Sequence, residues 1–109
     1  MQVIVLPKVL GYFDNLVTIL YEREYFGFEE TALDYILELY DDIVRTLPHR
    51  LHKTPSSYFN KYGKNIKYAI FRKSKHTTWY VFFNTYKKGG EIIYLVRYIA
   101  NNHTVAQYL

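Results

Sequence analysis

The sequence predicts a single α+β domain in two layers, with element order β-α-α-β-β-β and a helical hairpin packed on one face of a small, mainly antiparallel sheet. Three observations carry this. At 109 residues the chain supports one core and not two, so residues 1–109 read as one domain. The front half repeats its apolar residues at helical spacing, and the back half holds three β-prone runs separated by turn signals.

Taken in order, residues 2–6 form a short strand, because Val3, Ile4, Val5 and Leu6 favour an extended backbone and Pro7 removes the next ladder donor. Pro7 also suits a helix start. Over residues 8–24, Val9, Tyr12, Phe13, Leu16, Ile19 and Leu20 recur as one face of an amphipathic helix that Gly27 ends. A second helix spans residues 29–47, with Ala32, Leu33, Ile36, Tyr40, Ile43, Val44 and Leu47 as its buried stripe. Glu29 and Glu30 suit the positive end of its dipole, Arg45 suits the other end, and Pro48 terminates it.

Residues 48–64, with Pro55, Ser56, Ser57 and Gly63, read as an ordered loop that Tyr58, Phe59 and Tyr62 pin to the core. Strands then cover residues 65–73, 77–86 and 91–100, and Gly89 and Gly90 permit the positive φ of a tight hairpin. The run Trp79, Tyr80, Val81, Phe82, Phe83 is apolar on both faces, which predicts a central strand with helices on one side and partly buried aromatics on the other.

The net charge of +4 hides a sharp division. Residues 1–47 carry three basic side chains against nine acidic ones, whereas residues 48–109 carry eleven basic side chains and one acid, Glu91. The second half therefore attracts phosphates or an acidic protein, unless its lysines serve only to keep sheet edges from aggregating. With no cysteine, a disulfide scaffold, a thiolate metal site and a cysteine nucleophile are all excluded. The opening apolar run is too short for a signal-peptide core and no later run approaches a membrane span, so a cytoplasmic protein without membrane contact is expected.

The acidic helical front half, the strand ending Phe71-Arg72, the strand Leu95-Val96-Arg97 and the tail His103-Thr104-Val105-Ala106-Gln107-Tyr108 together resemble the RelE/ParE superfamily of toxins from type II toxin-antitoxin systems. The resemblance covers nearly the whole chain, and the five-residue step from His103 to Tyr108 is its sharpest part. It implies the RelE/ParE-like two-layer fold and a growth-arresting toxin neutralised by a cognate antitoxin, whose acidic, partly disordered segment is expected to fold along the exposed sheet edge and basic groove. RelE-like members cut mRNA on the ribosome without a metal. ParE-like members instead act on DNA gyrase and lack the ribonuclease residues.

Metal-free RNA cleavage needs a base for the 2′-hydroxyl, cations for the phosphorane and an acid for the leaving oxygen. Arg72 and Arg97, on different strands, can each grip two phosphate oxygens, although Arg97 also fits a structural ion pair. His103 carries an imidazole, which titrates near pH ~6.5 and can serve as acid or base; anchoring the tail is its other reading. Tyr108 is assigned base stacking and proton exchange by the resemblance, with packing over the sheet as the alternative. Lys53 and Lys61 match the family's RNA-contacting loop, and Lys64, Lys67, Lys73 and Lys75 join them with Tyr58, Tyr62, Tyr68 and Trp79 interleaved. His49 and His52 lack further ligands nearby, so neither a metal nor another cofactor is expected. Ribonuclease relatives often supply a carboxylate or a placed lysine as base, and Glu91 is the one acid here, in a hairpin turn.

Overall fold

The computed structural model describes residues 1–22, 29–73, 75 and 77–102. Four strands, β1 (Gln2–Val5), β2 (Lys67–Arg72), β3 (Thr78–Lys88) and β4 (Glu91–Asn101), lie in the order β1-β4-β3-β2. β3 is antiparallel to both neighbours and β1 runs parallel to β4, so the sheet is mixed. Helices α1 (Pro7–Glu22) and α2 (Glu29–Thr46) pack on one face, which makes the domain α+β.

Pro7 ends β1 because it has no N–H for the ladder, and the Leu6 carbonyl then accepts from the amides of Val9 and Leu10 at 2.9 and 3.1 Å. The proposed stop at Gly27 lies outside the described residues. Val9, Phe13, Leu16 and Val17 of α1 meet Ala32, Ile36, Leu39 and Ile43 of α2 over the sheet. The buried stripe of α2 is narrower than its apolar pattern suggested. Leu33 and Val44, expected inside, are exposed on its flank, and Leu39 takes their place at 0% exposure. α2 ends at Thr46, where Leu47–His49 tightens into one 3-10 turn before the extended Arg50.

Arg50 fixes the exit of α2. Its guanidinium lies 3.8 Å from the centroid of the Phe71 ring, donates to the Asp42 carboxylate at 2.9 Å and to the Ile70 carbonyl at 3.0 Å, and holds Thr46 at 3.0 Å. One side chain thus ties α2 to edge strand β2. Lys53 then pairs with Tyr68 through two backbone bonds of 2.8 and 2.9 Å on the outer edge of β2.

The long connection is not plain loop, since Ser57–Tyr62 forms a 3-10 helix laid across the second face of the sheet. Phe59 is fully buried there and stacks on Phe82 at 4.5 Å, while Tyr62 stacks on Tyr98 at 3.8 Å with the rings 5° apart. Each strand of the β2–β4 meander therefore buries side chains on both faces, which explains the unbroken apolar run of β3.

The hairpin joining β3 and β4 turns on Gly89 and Gly90, with φ of 58° and 83°. Two successive positive φ values match the right-handed strand twist, and β3 consequently runs to Lys88 rather than 86. Opposite this hairpin's middle, Phe82 pairs with Tyr98 but Phe83 pairs with Val96, so Arg97 is the extra residue of a β-bulge. Val96 and Ile99 both face the helices as a result, and Arg97 and Tyr98 both reach the second face.

Candidate functional site

Arg97 sits where the bulge re-aims β4. Its Nη2 donates to the Tyr86 hydroxyl at 2.9 Å, and its Nε is buried with no hydrogen-bond partner among the described residues. The expected alternative of an ion pair is not met there, because no salt bridge reaches Arg97 among those residues. Leu95 lies on its face as expected, but the bulge carries Ile99 to the other side.

Gly63 makes room for this arginine. A Cβ at position 63 would stand 2.9 Å from Arg97 Cδ and 2.9 Å from Asn84 Oδ1. Asn84 is the one buried polar residue described; its amide donates to the Lys64 carbonyl at 2.9 Å and so locks the Gly63-Lys64 strap over Arg97. The arrangement holds an aliphatic stem under backbone and leaves the guanidinium beside an exposed phenol. Alternation along β3 sets Lys88 on the same face as Tyr86, and Lys64 and Lys88 are both exposed. Chemically this is an anion grip with a phenolic hydroxyl at its side.

Arg72 shares the face but not the place. It pairs with Thr78, four residues along β3 from Phe82, and two strand spacings separate β2 from β4. That puts its Cα about 17 Å from that of Arg97, taking ~3.4 Å per residue and ~4.8 Å per strand. The guanidinium of Arg97, moreover, turns to Tyr86 on the side away from Arg72. The two arginines are not brought to one phosphate. His103 and Tyr108 lie outside the described residues.

The lysines are dispersed. Lys61 lies over the Tyr58 ring at 4.0 Å, and its hydrogen bond to the Tyr58 hydroxyl raises its pKa. Lys64 follows Gly63 and is exposed, while Lys53 sits on the outer edge of β2. Lys73 belongs to the helical side, 3.8 Å from Glu38 and near the Tyr35 ring, and Lys75 is in the turn between β2 and β3. Lys67 is engaged with the Thr54 hydroxyl at 2.6 Å. Two aromatics expected to interleave with them are not surface groups. Trp79 is 1% exposed with its indole N–H donated to Tyr35 at 2.8 Å, and Tyr68 belongs to the second apolar cluster.

Sequence reasoning missed Tyr86, Gly63 and Asn84. The one signal available was alternation, which sets Asn84 and Tyr86 on a common face of β3. His52 is likewise structural, with Nε2 against the Leu47 carbonyl at 3.0 Å and its ring edge-on to Phe83. No group of three or more histidine, aspartate or glutamate residues suited to a metal occurs among the described residues. No described helix is long and apolar enough to cross a membrane.

Fold and site together define a small α+β domain with a basic, phenol-flanked arginine on the sheet face opposite its helices. Comparison with family models, with curated proteins and with solved structures yields no match to this chain.

Proposed function

We propose that this chain is a toxin of the RelE/ParE type: a metal-independent, ribosome-dependent mRNA endoribonuclease neutralised by a cognate antitoxin. The observation that carries the reading is the Arg97–Tyr86 pair, a guanidinium and a phenol 2.9 Å apart on the sheet face that the helices leave uncovered. In such a cleavage the 2′-oxygen forms a bond to phosphorus, the 5′-oxygen leaves, and one proton is lost and one regained. Arg97 meets the charge that builds on the phosphorane oxygens, where fixed donors lower the barrier most. In this reading His103 and Tyr108 exchange the protons, and Lys61 and Lys64 steer the RNA backbone. The acids of α1 and α2 repel RNA from the opposite layer, which leaves the basic sheet face for approach. A cytoplasmic location follows from the ribosomal target.

The experiment is to induce the chain alone and map transcript 5′ ends. Ribosome-dependent cleavage that disappears with Arg97→Ala is expected. Growth arrest with intact transcripts overturns the reading.

ParE-like inhibition of DNA gyrase without nuclease activity is the second reading, and one observation favours it. Arg72 and Arg97 stand apart, so one arginine rather than two faces any single phosphate. It predicts accumulation of cleaved DNA, unaffected by His103→Ala, and normal supercoiling during arrest removes it.

A further inference from the structure

Tyr62 and Tyr98 face each other at a ring-centroid distance of 3.8 Å with their planes 5° apart. Their hydroxyls are also hydrogen-bonded to each other, so the rings lie head to head and the carbons ortho to the two hydroxyls stand opposite one another. Aromatic pairs usually settle at about 4.5–7 Å, offset or edge-on, which makes this contact close and aligned by comparison. The Tyr68–Tyr80 pair meets at 6.1 Å and 68°.

Neighbouring rings hold the pair in place. Phe59 lies 6.3 Å from Tyr62 and Phe82 lies 5.6 Å from Tyr98, and these two phenylalanines are themselves stacked and fully buried. Tyr62 is the last residue of the Ser57–Tyr62 3-10 helix and Tyr98 belongs to β4, so the stack joins two segments distant in sequence. Their chain neighbours are Gly63 and Arg97, the strap and the arginine beneath it.

The composition directs oxidants to these phenols. The chain has thirteen tyrosines, one tryptophan, one methionine and no cysteine, so the sulfur groups that usually absorb oxidation are nearly absent. Trp79 is sealed at 1% exposure, whereas Tyr62 and Tyr98 are half-buried and within reach of a small oxidant.

We propose that Tyr62 and Tyr98 are an oxidative cross-linking site, coupling to a dityrosine that staples the Ser57–Tyr62 helix and the Gly63-Lys64 strap to β4 across Arg97. Each phenol gives up one electron and its hydroxyl proton, and the two phenoxyl radicals pair through ortho carbons to form a carbon–carbon bond. The two ring hydrogens at those carbons then return to the oxygens, which restores both aromatic rings. Two electrons and two protons leave in all, and one hydrogen peroxide, acting through a one-electron oxidant such as a haem peroxidase, takes them up as two waters. The stack supplies the proximity that coupling between separate molecules lacks. This goes beyond the nuclease reading and does not depend on it.

The test treats the full chain, without RNA, with hydrogen peroxide and a haem peroxidase, and oxidises free tyrosine in parallel to show that the oxidant is active. A monomer lighter by two hydrogens, with dityrosine fluorescence, is expected. Trypsin should release residues 62–64 joined to residues 98–109, and fragmentation should place the bond on Tyr62 and Tyr98. Tyr62→Phe and Tyr98→Phe keep the rings but each lower the yield of this product by about tenfold or more, as does oxidation of the unfolded chain in urea. Tyr80→Phe leaves the yield unchanged. The cross-linked monomer unfolds at a higher urea concentration than untreated protein, because the bond closes a long loop. Absence of dityrosine, a bond between molecules or between other tyrosines, or an equal yield from the unfolded chain overturns the site. A urea midpoint that does not rise overturns the staple.

Discussion

Arg97 donates to the Tyr86 hydroxyl at 2.9 Å across the β3–β4 pair, and this bond is what holds the guanidinium toward the hairpin. Tyr86 is 45% exposed, so the bond contributes little to folding and much to direction. On the proposed nuclease reading, Arg97→Ala should lower transcript cleavage by about 10²–10³-fold, the usual effect of removing a charge-stabilising donor. Tyr86→Phe should lower it by about 5–10-fold with an unchanged melting temperature, as expected for a partly exposed hydrogen bond to a charged group. Primer-extension yields at matched expression measure both. Equal yields from wild type and Tyr86→Phe would remove Tyr86 from the site.

Gly63→Ala tests the strap over Arg97. The φ of 165° at Gly63 is extended backbone that any residue adopts, so conformation is not the obstacle. Space is: the new Cβ would lie 2.9 Å from Asn84 Oδ1, which the Lys64 carbonyl holds in place. Overpacking of this kind costs about 1–3 kcal/mol. Urea denaturation should show that loss, and the Arg97 side-chain resonances should shift. A variant as stable as wild type would mean that the strap moves at no cost.

Phe59 is the anchor of the second face, fully buried and stacked on Phe82. Phe59→Ala should cost about 3–5 kcal/mol, as core aromatics do, and should release the 3-10 helix from the sheet. Near-ultraviolet dichroism should fall because the Tyr62–Tyr98 stack depends on the same segment. Retention of that signal would place the anchoring elsewhere.

Arg50 joins Asp42, Thr46, the Ile70 carbonyl and the Phe71 ring, and its ion pair with Asp42 is about two-thirds shielded on both sides. Arg50→Lys keeps the charge but loses the planar fork that reaches several acceptors at once. A loss of about 1–3 kcal/mol is expected. Asp42→Asn in the Arg50→Lys background should cost less than Asp42→Asn alone, because the two share one network. Strict additivity in a double-mutant cycle would refute the coupling.

Local periodicity made the helices and strands legible. Ala32, Ile36 and Ile43 lie at helical spacing, the β3 run is apolar on both faces, and paired glycines mark the hairpin, each within a few residues of its neighbours. The features that shape the site are non-local. The bulge at Arg97 depends on which residues of β3 stand opposite it, and Tyr86 and Arg97 are eleven residues apart in sequence. Phe59 is legible in the sequence as an aromatic that pins the loop to the core, and it is buried, but its partner Phe82 is distant in sequence and only the fold identifies it. Leu33 and Val44 misled because spacing locates a stripe but not its width, which the packed α1 determines. Lys73 misled for a related reason: one step along β2 from Arg72 reverses the face, so two adjacent cations serve opposite layers.

The stacked tyrosines set an alkaline limit on stability. Tyr98 has its pKa raised from 10.0, first by burial and then by its hydrogen bond with Tyr62; burial also raises Tyr12 and Tyr35, the latter partly offset by its bond with Trp79. Well below pH 10 these phenols are protonated in folded and unfolded chains alike and contribute no pH dependence. As pH rises past 10.0 the unfolded chain releases their protons first, so it binds fewer protons than the folded one and stability falls through the folded pKa values. Melting temperature should therefore decline above that pH, and Tyr98→Phe should decline less steeply than wild type because it removes the most shifted phenol. Parallel curves for the two proteins would show that Tyr98 ionises as readily folded as unfolded, and that the stack with Tyr62 does not hold it neutral.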